Sequence, residues 1–273
     1  MLPAATERIL STLADDALVL DVGGWAAPFN RADWVLDLMP YETRGAMGSY
    51  GAGPERFSAE TWVCRDICAR EPWPFADDQF DFAMCVTTLE DVRDPIWVCS
   101  EISRVARAGY VEVPTIEHEL IYNVDGRGPW LGHDHHRWLV DADGAGGLVF
   151  RHKPHSIHHD WTLRVLPRWQ ERMTLEDHLL GVFWEGVIHA SEDVMVIGYP
   201  FDEWRARIRA RFRPTRAELA VKEGRDAVRH AAARAKRPVR RLAERGLRVL
   251  SGLGHGSRRV WGASRRPWPG RRT

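Results

Sequence analysis

The stretch ALVLDVGGWAAPFNRADWVLDL, residues 17–38, decides how the rest of the chain is read. An apolar run, Ala17–Val22, ends on the pair Gly23-Gly24. A short connection follows, and a second apolar run, Trp34–Leu38, carries Asp37 near its end. Short apolar runs bounded by glycine read as buried strands. A glycine at the carboxyl end of a strand lets the backbone turn sharply and lets a ligand approach it closely. Only Gly23–Asp33 separate the two runs. Parallel neighbours need a connection of about a dozen residues or more, usually a helix. Here the connection is at that lower limit and Pro28 interrupts it, so a turn or a single helical turn is expected in place of a full crossover helix.

Working outward, residues 5–14 read as a helix with Ile9, Leu10 and Leu13 on one face. Residues 39–60 are rich in glycine and polar side chains and are expected to form a mobile loop near the turn. Residues 60–66 and the run FDFAMCV (80–86) are further strands, separated by the turn signals PWPF and ADD. Asp94 is placed to cap a helix that starts at Pro95 and buries Val98, Ile102 and Val105, with Gly109 as its stop. Tyr110–Val113 is the next strand, closed by Pro114. Leu148–His152 and Val194–Ile197 are candidate late strands forming an antiparallel edge, with part of a helix at Leu175–Leu180 between them. Beyond Pro200 the chain turns rich in arginine and alanine. Phe201–Phe212 and Ala217–Lys236 read as helices, with a capping box from Thr215 and Glu218, and 251–273 reads as disordered.

The expected fold class is therefore α/β: a Rossmann-like, mostly parallel sheet with flanking helices and a shortened first crossover. A histidine-rich insert follows the fifth strand, and a basic helical extension ends the chain. The expected domains are residues 1–200, with the insert at about 115–160, and a tail at 201–273. The 273 residues carry 38 basic and 38 acidic side chains, but 22 of the basic and only 6 of the acidic ones lie in 201–273. An acidic body with a basic tail speaks to partners rather than to fold. Cys64, Cys68, Cys85 and Cys99 form no C-x-x-C pair and sit in apolar stretches, which suggests reduced core thiols in a cytosolic protein. The chain start has no signal-peptide pattern, and no apolar run reaches membrane-spanning length. The expected location is cytoplasmic, with peripheral attachment to a membrane through the tail as an option.

Three acids close three successive strands. Asp21 precedes the glycine turn, Asp37 can accept hydrogen bonds from both hydroxyls of a ribose, and Asp66 can accept from an exocyclic adenine amine. Trp25 and Leu38 stand beside the first two, Ile67 beside the third can cover an adenine face, and Thr87 follows the fourth strand. There is no G-x-G-x-x-G and no helix N-terminus for a pyrophosphate, which argues against a nicotinamide dinucleotide.

Over residues 15–115 the chain resembles the class I S-adenosylmethionine-dependent methyltransferases, nearest to the type 11 group. Asp-Val-Gly-Gly after the first strand, Asp37 at the end of the second and PWPFADDQFDFAM carry the resemblance. So does TTLEDVRDPIWVCSEISRVARAGYVEVP. Where that family often reads LEH-x-x-DP, this chain has Leu89-Glu90-Asp91, and Trp25 stands where a further glycine is usual. The resemblance implies S-adenosylmethionine as cofactor, held by Asp21, Gly23, Gly24, Trp25, Asp37, Leu38, Asp66, Ile67 and Thr87. It also implies methyl transfer to a small molecule, a sugar or a lipid-linked glycan, as in many bacterial members. Trp25 either packs on the cofactor or fills the space of the missing helix.

Seven of the twelve histidines fall between His133 and His159, in GHDHHRW and HKPHSIHHD. Imidazole titrates near neutrality and can take a proton from an acceptor. The insert follows a strand whose carboxyl end faces the cofactor turn, so His135 and His136 are the candidate catalytic residues, with Glu112 and Glu117 flanking that strand end. His136-Arg137-Trp138 reads equally well as a packing motif. Imidazoles can also bind a metal, with Asp134 to help, but no spacing matches a zinc signature, so no metal is expected. The tail offers anionic membrane or nucleic acid a grip, through Trp204, Ile208 and Phe212 on one helix side and Trp261 and Trp268 among arginines. Two other readings stay open: an RNA methyltransferase gripping its substrate with the tail, and a non-catalytic binding protein with a degenerate cofactor site.

Overall fold

The computed structural model describes residues 1–126, 128, 130–194, 198–212, 215–218, 220–222, 224, 225, 227, 228, 231 and 232. Strands β1 (Val19–Val22), β2 (Trp34–Asp37), β3 (Trp62–Cys64), β4 (Phe82–Val86) and β5 (Ala108–Pro114) run parallel, as the buried apolar runs require. Their spatial order is β3-β2-β1-β4-β5, and β8 (Leu179–Glu185) closes the far edge antiparallel to β5. The order reverses between β1 and β4, and that switch point is where ligands bind in open α/β sheets, at the carboxyl ends of the strands. A second sheet holds β6 (Trp138–Ala142), β7 (Leu148–His152) and β9 (Ala190–Glu192) in the order β6-β7-β9.

Helices flank both faces of the large sheet. On one face α1 (Pro3–Thr12) seats Ala5 and Ile9 on Val19, Val35, Met84 and Tyr110. On the other, α2 (Pro95–Val105) seats Val98, Ile102 and Val105 on Leu20, Leu36, Ala83 and Val111. Asp94 caps α2 by accepting from the Trp97 N–H at 3.0 Å, and Pro95 occupies the first turn. The helix ends at Val105, four residues before Gly109. That glycine lies inside β5, where a Cβ would fall 1.9 Å from the Ala83 carbonyl oxygen and 2.7 Å from the Trp184 ring.

A third core gathers around the short helix α3 (Ile116–Glu119) with Leu139, Ile157, Leu163 and Trp169. The remaining short helices are α4 (Pro167–Gln170) and α5 (Leu175–His178), and α6 (Phe201–Phe212) follows. In α6, Trp204, Ile208 and Phe212 are buried in this third core, so that face is not free for a lipid surface. Chain contacts accordingly group 1–214 as one unit and 215–273 as another. The described start of the second unit carries the expected capping box. The Thr215 N–H donates to Glu218 Oε2 at 2.7 Å, and the Glu218 N–H to Thr215 Oγ1 at 3.2 Å. Trp261 and Trp268 lie outside the described residues.

Three expectations about the later chain change. Leu179–Leu180 start strand β8 instead of ending a helix, because they pair with Pro114 and Val113 of β5. Leu148–His152 is a strand, but it pairs with β6 and β9, and 195–197 lie outside the described residues. Cys68, Cys85 and Cys99 are buried thiols, whereas Cys64 is exposed on the edge strand β3.

Gly109→Ala must push β5 away from β4, so a loss of about 3 kcal/mol or more is expected in urea unfolding, the upper range for overpacking. Gly186→Ala, where no atom lies within 4 Å but φ is +71°, is expected to cost only the backbone strain, about 1–2 kcal/mol.

Candidate functional site

The crossover between β1 and β2 contains no helix. Two of its backbone N–H groups donate to the strand-end acids, and the following loop bonds to its carbonyls and to the Asn30 N–H. Asp21, fully buried, accepts from the Phe29 N–H at 2.9 Å, and Asp37 accepts from the Trp25 N–H at 3.0 Å. The loop expected to be mobile lies along the crossover. Gly45 and Met47 donate to the Trp25 and Ala26 carbonyls, Tyr50 donates to Pro28, and Asn30 donates back to Tyr50. The Phe29 and Tyr50 rings sit 5.2 Å apart. The loop thus occupies the position of the missing helix.

Both glycines are demanded by the protein itself. Gly23 has φ +79°, and a Cβ there would fall 2.3 Å from Thr88 Oγ1; one on Gly24 would fall 2.3 Å from Asp21 Oδ2. The Trp25 ring is turned toward the loop, its Nε1–H donating to the Thr43 carbonyl at 2.8 Å and to Thr43 Oγ1 at 2.9 Å. It packs at the edge of the Phe29–Trp62 cluster. Of the two roles open to Trp25, this geometry is that of filling the missing helix's space.

Burial raises the Asp21 carboxyl to about 7, against the lowering pull of the Phe29 N–H and with a further push from Asp37. Burial likewise raises Asp37, opposed by the N–H groups of Met39, Trp25 and Leu38. The Asp37 oxygens accept from Trp25 and from Met39 (2.8 Å), both backbone donors, which leaves each oxygen a lone pair for a ligand hydroxyl. Leu38 beside it is 64% exposed, an apolar side chain set out for a partner. At the end of β3, partial desolvation would raise Asp66, but the Cys68 N–H and Arg93 outweigh it and lower the group. Arg93 pairs with Asp66 at 2.8 Å, and Ile67 is buried behind it. Thr87 sits at φ 48°, a left-handed conformation rare outside glycine, at the carboxyl end of β4.

The histidines converge at the neighbouring loop. Asp91 N–H donates to the Thr88 carbonyl, and the Glu90 carbonyl accepts from the N–H groups of Arg137 (2.7 Å) and Trp138 (3.1 Å). These bonds tie the loop after β4 to the start of β6. One ring nitrogen of each of His133, His135 and His136 lies within 4.8 Å of the others. His136 is buried, its Nδ1 2.6 Å from Glu119 Oε1, while Lys153 Nζ donates to Glu119 Oε2 at 2.5 Å and to the His133 carbonyl at 2.7 Å. His118 joins through His133 (3.3 Å) and His178 (2.8 Å), and burial lowers its pKa to about 4. His152 and His155 lie on β7 and in the turn after it, apart from this group.

Two candidate acids fall away. Glu112 is fully buried on the α1 face, accepting from the Tyr110 hydroxyl at 2.6 Å and the Leu2 N–H at 2.8 Å. Glu117 is buried against Arg207 of α6 at 2.6 Å. Neither faces the histidines. Asp91, Glu119 and Lys153 were not among the sequence candidates. Asp91 had a signal, as the departure in Leu89-Glu90-Asp91, whereas Glu119 and Lys153 had none because their pairing spans 34 residues.

Residues 37–111 match the model of the family described as "Methyltransferase domain". Over that stretch the chain is similar to methyltransferase domains. Among solved structures, the chain is similar to an S-adenosylmethionine-dependent methyltransferase from Mesorhizobium loti. The identity there is 12% over 54% of this chain and 62% of that one, with a TM-score of 0.29. It is also similar to the YcgJ protein of Bacillus subtilis, at 14% identity over 41% and 51% with a TM-score of 0.29. A methyltransferase-type protein of Bacillus halodurans aligns at 18% identity over 41% and 50%, with a TM-score of 0.31. The chain spans about half the length of such structures. No curated protein matches it. The matched segment starts at Asp37 and ends in β5, so it contains Asp37, Leu38, Asp66, Ile67 and Thr87 but not the glycine turn.

Because folding raises Asp21 from an unfolded value of 3.8 to about 7, its contribution to stability is full below pH 4 and is lost as pH rises through 7. In paired urea unfolding at pH 5 and pH 8, Asp21→Asn is expected to lack this loss. Its stability relative to the parent should improve by about 2–3 kcal/mol between the two pH values.

Proposed function

We propose that the protein transfers a methyl group from S-adenosylmethionine to a small molecule, a sugar or a lipid-linked glycan. The observation that carries the reading is that the family match falls on strand ends furnished with Asp37, Leu38 and Asp66. Two carboxylates and an exposed apolar side chain suit a nucleoside: Asp37 for the ribose hydroxyls, Asp66 for an adenine amine and Leu38 for the base face. When bound, S-adenosylmethionine supplies a methyl carbon that a nucleophile takes as the carbon–sulfur bond breaks. S-adenosylhomocysteine is left, with one proton if the acceptor is a hydroxyl.

The residues of this chain have the remaining tasks. Gly23 and Thr88 hold the first and fourth strand ends against each other, which fixes the donor site relative to the loop 88–92. That loop carries Asp91 to the His133–His136 group, which marks the acceptor end. His135 is the open member, with its side chain 53% exposed, and stands where an acceptor can enter. His136 is oriented by Glu119 behind it. Holding nucleophile and methyl carbon in line supplies much of the rate in such a reaction. The reading places the protein in the cytoplasm, with the arginine-rich tail against an anionic surface.

Incubation with donor labelled on the methyl group, and with either extracted RNA or a cell-envelope lipid and glycan fraction, tests this. Label is expected in the envelope fraction, and Asp37→Ala is expected to reduce it at least tenfold. Label in RNA that is lost on deleting residues 233–273 would replace the proposal with the RNA reading.

A further inference from the structure

The His133–His136 group does not look like a lone base with neighbours. The two Asp91 oxygens face two different imidazoles: Oδ1 lies 3.9 Å from His136 Nε2 and Oδ2 lies 4.0 Å from His135 Nε2. Those separations are too long for hydrogen bonds. Asp91 Oδ1 is buried and accepts no hydrogen bond among the described residues. Four ligands at about 2.1 Å around a tetrahedral zinc stand about 3.4 Å from one another. The 4.8 Å span of the three imidazole nitrogens needs only small side-chain shifts to reach that figure, and Asp91 stands 3.9 and 4.0 Å from two of the rings.

The supporting shell is also in place. Glu119 Oε1 engages His136 Nδ1, which leaves Nε2 as the ring atom toward Asp91. A carboxylate behind a ligating histidine is the usual way its tautomer and orientation are fixed. Lys153 clamps Glu119 and the His133 carbonyl together from the far side. Gly132, at φ +58°, has no room for a side chain, since a Cβ would fall 2.5 Å from Glu119 Oε2. The backbone bonds from Arg137 and Trp138 to Glu90 hold the aspartate and the histidines at this spacing. The group reaches solvent through His135, which gives an ion a way in.

The geometry points to a divalent transition-metal site of the zinc class, with His133, His135 and His136 as ligands, Asp91 beside two of them and the fourth position open. Three imidazoles favour zinc, cobalt or iron(II) over magnesium, which prefers oxygen ligands and keeps its waters. The use of that ion rests on the methyl-transfer reading above. At the acceptor end it would bind an acceptor hydroxyl and lower its pKa, so that the hydroxyl proton leaves to solvent and the oxygen becomes the nucleophile. Binding of the ion itself does not depend on that reading.

The test uses the untagged full chain, stripped with a chelator and titrated calorimetrically with zinc chloride and, separately, magnesium chloride. One zinc per chain is expected, with no comparable magnesium heat. His135→Ala, an exposed position that leaves the core intact, and Asp91→Asn should each weaken zinc binding at least tenfold. His155→Ala, an exposed histidine of the same insert, should leave it unchanged. Absence of one-to-one binding, binding that survives both His135→Ala and Asp91→Asn, or equal loss in His155→Ala overturns the site. Donor titration of the same protein keeps the two claims apart. Zinc binding without donor binding would sink the transfer reading and leave the metal site standing.

Discussion

Two carboxylates at adjacent strand ends, Asp21 and Asp37, hold a crossover that has no helix of its own. A helix would satisfy its own backbone; eleven residues with a proline among them do not form one here, and their N–H groups must find acceptors elsewhere. Asp21 takes Phe29 and Asp37 takes Trp25. The loop 43–50 takes the Asn30 N–H, donates its own N–H groups to the Trp25, Ala26 and Pro28 carbonyls, and lays Tyr50 on Phe29. Gly24 must be glycine because Asp21 stands where its Cβ would be, and Gly23 because Thr88 does. The turn is therefore built from constraints internal to the fold. Asp37 does both jobs, anchoring Trp25 from one side and keeping lone pairs free on the other.

From this turn the construction passes to the histidine group in a few bonded steps. Thr88 packs on Gly23, Asp91 bonds back to Thr88, and Glu90 binds the β6 start through Arg137 and Trp138. Burial pushes the Glu90 carboxyl, beside Asp91, well above the ordinary carboxylate range. The buried Glu119–Lys153 pair closes the far side. Breaking one partner of such a pair is strongly destabilising, on the order of 3–5 kcal/mol, because the other charge is left buried alone. The histidines are thus mounted on a rigid base although they sit in an insert with little regular structure.

The parallel sheet was legible because its strands are buried on both faces and read as unbroken apolar runs. The Asp94–Pro95 helix start was legible from its capping chemistry. What escaped were features set by distant partners. Gly109 looks like a helix stop until β4 and Trp184 are seen around it. Leu179–Glu185 shows no clean alternation, since most of its side chains are half-buried at a sheet edge, and only pairing with β5 makes it a strand. In α6, Trp204, Ile208 and Phe212 form an apolar stripe that suits a membrane or a core equally well, and only the core built by residues 116–169 decides between them. At the site, the strand-end acids could be read from position, whereas Glu112, read as a catalytic acid, faces the α1 side of the sheet. Alternation along β5 puts Val111 and Val113 on one face and Tyr110 on the other, and Glu112 bonds to Tyr110.

The central claim is that this turn, with Trp25 folded back onto the loop, still leaves a donor site at the strand ends. Calorimetric titration of the full chain with S-adenosylmethionine tests it most directly. The account predicts one donor bound per chain, with binding retained in Trp25→Phe, which keeps the backbone N–H that Asp37 accepts. No donor binding by the unaltered chain would contradict it.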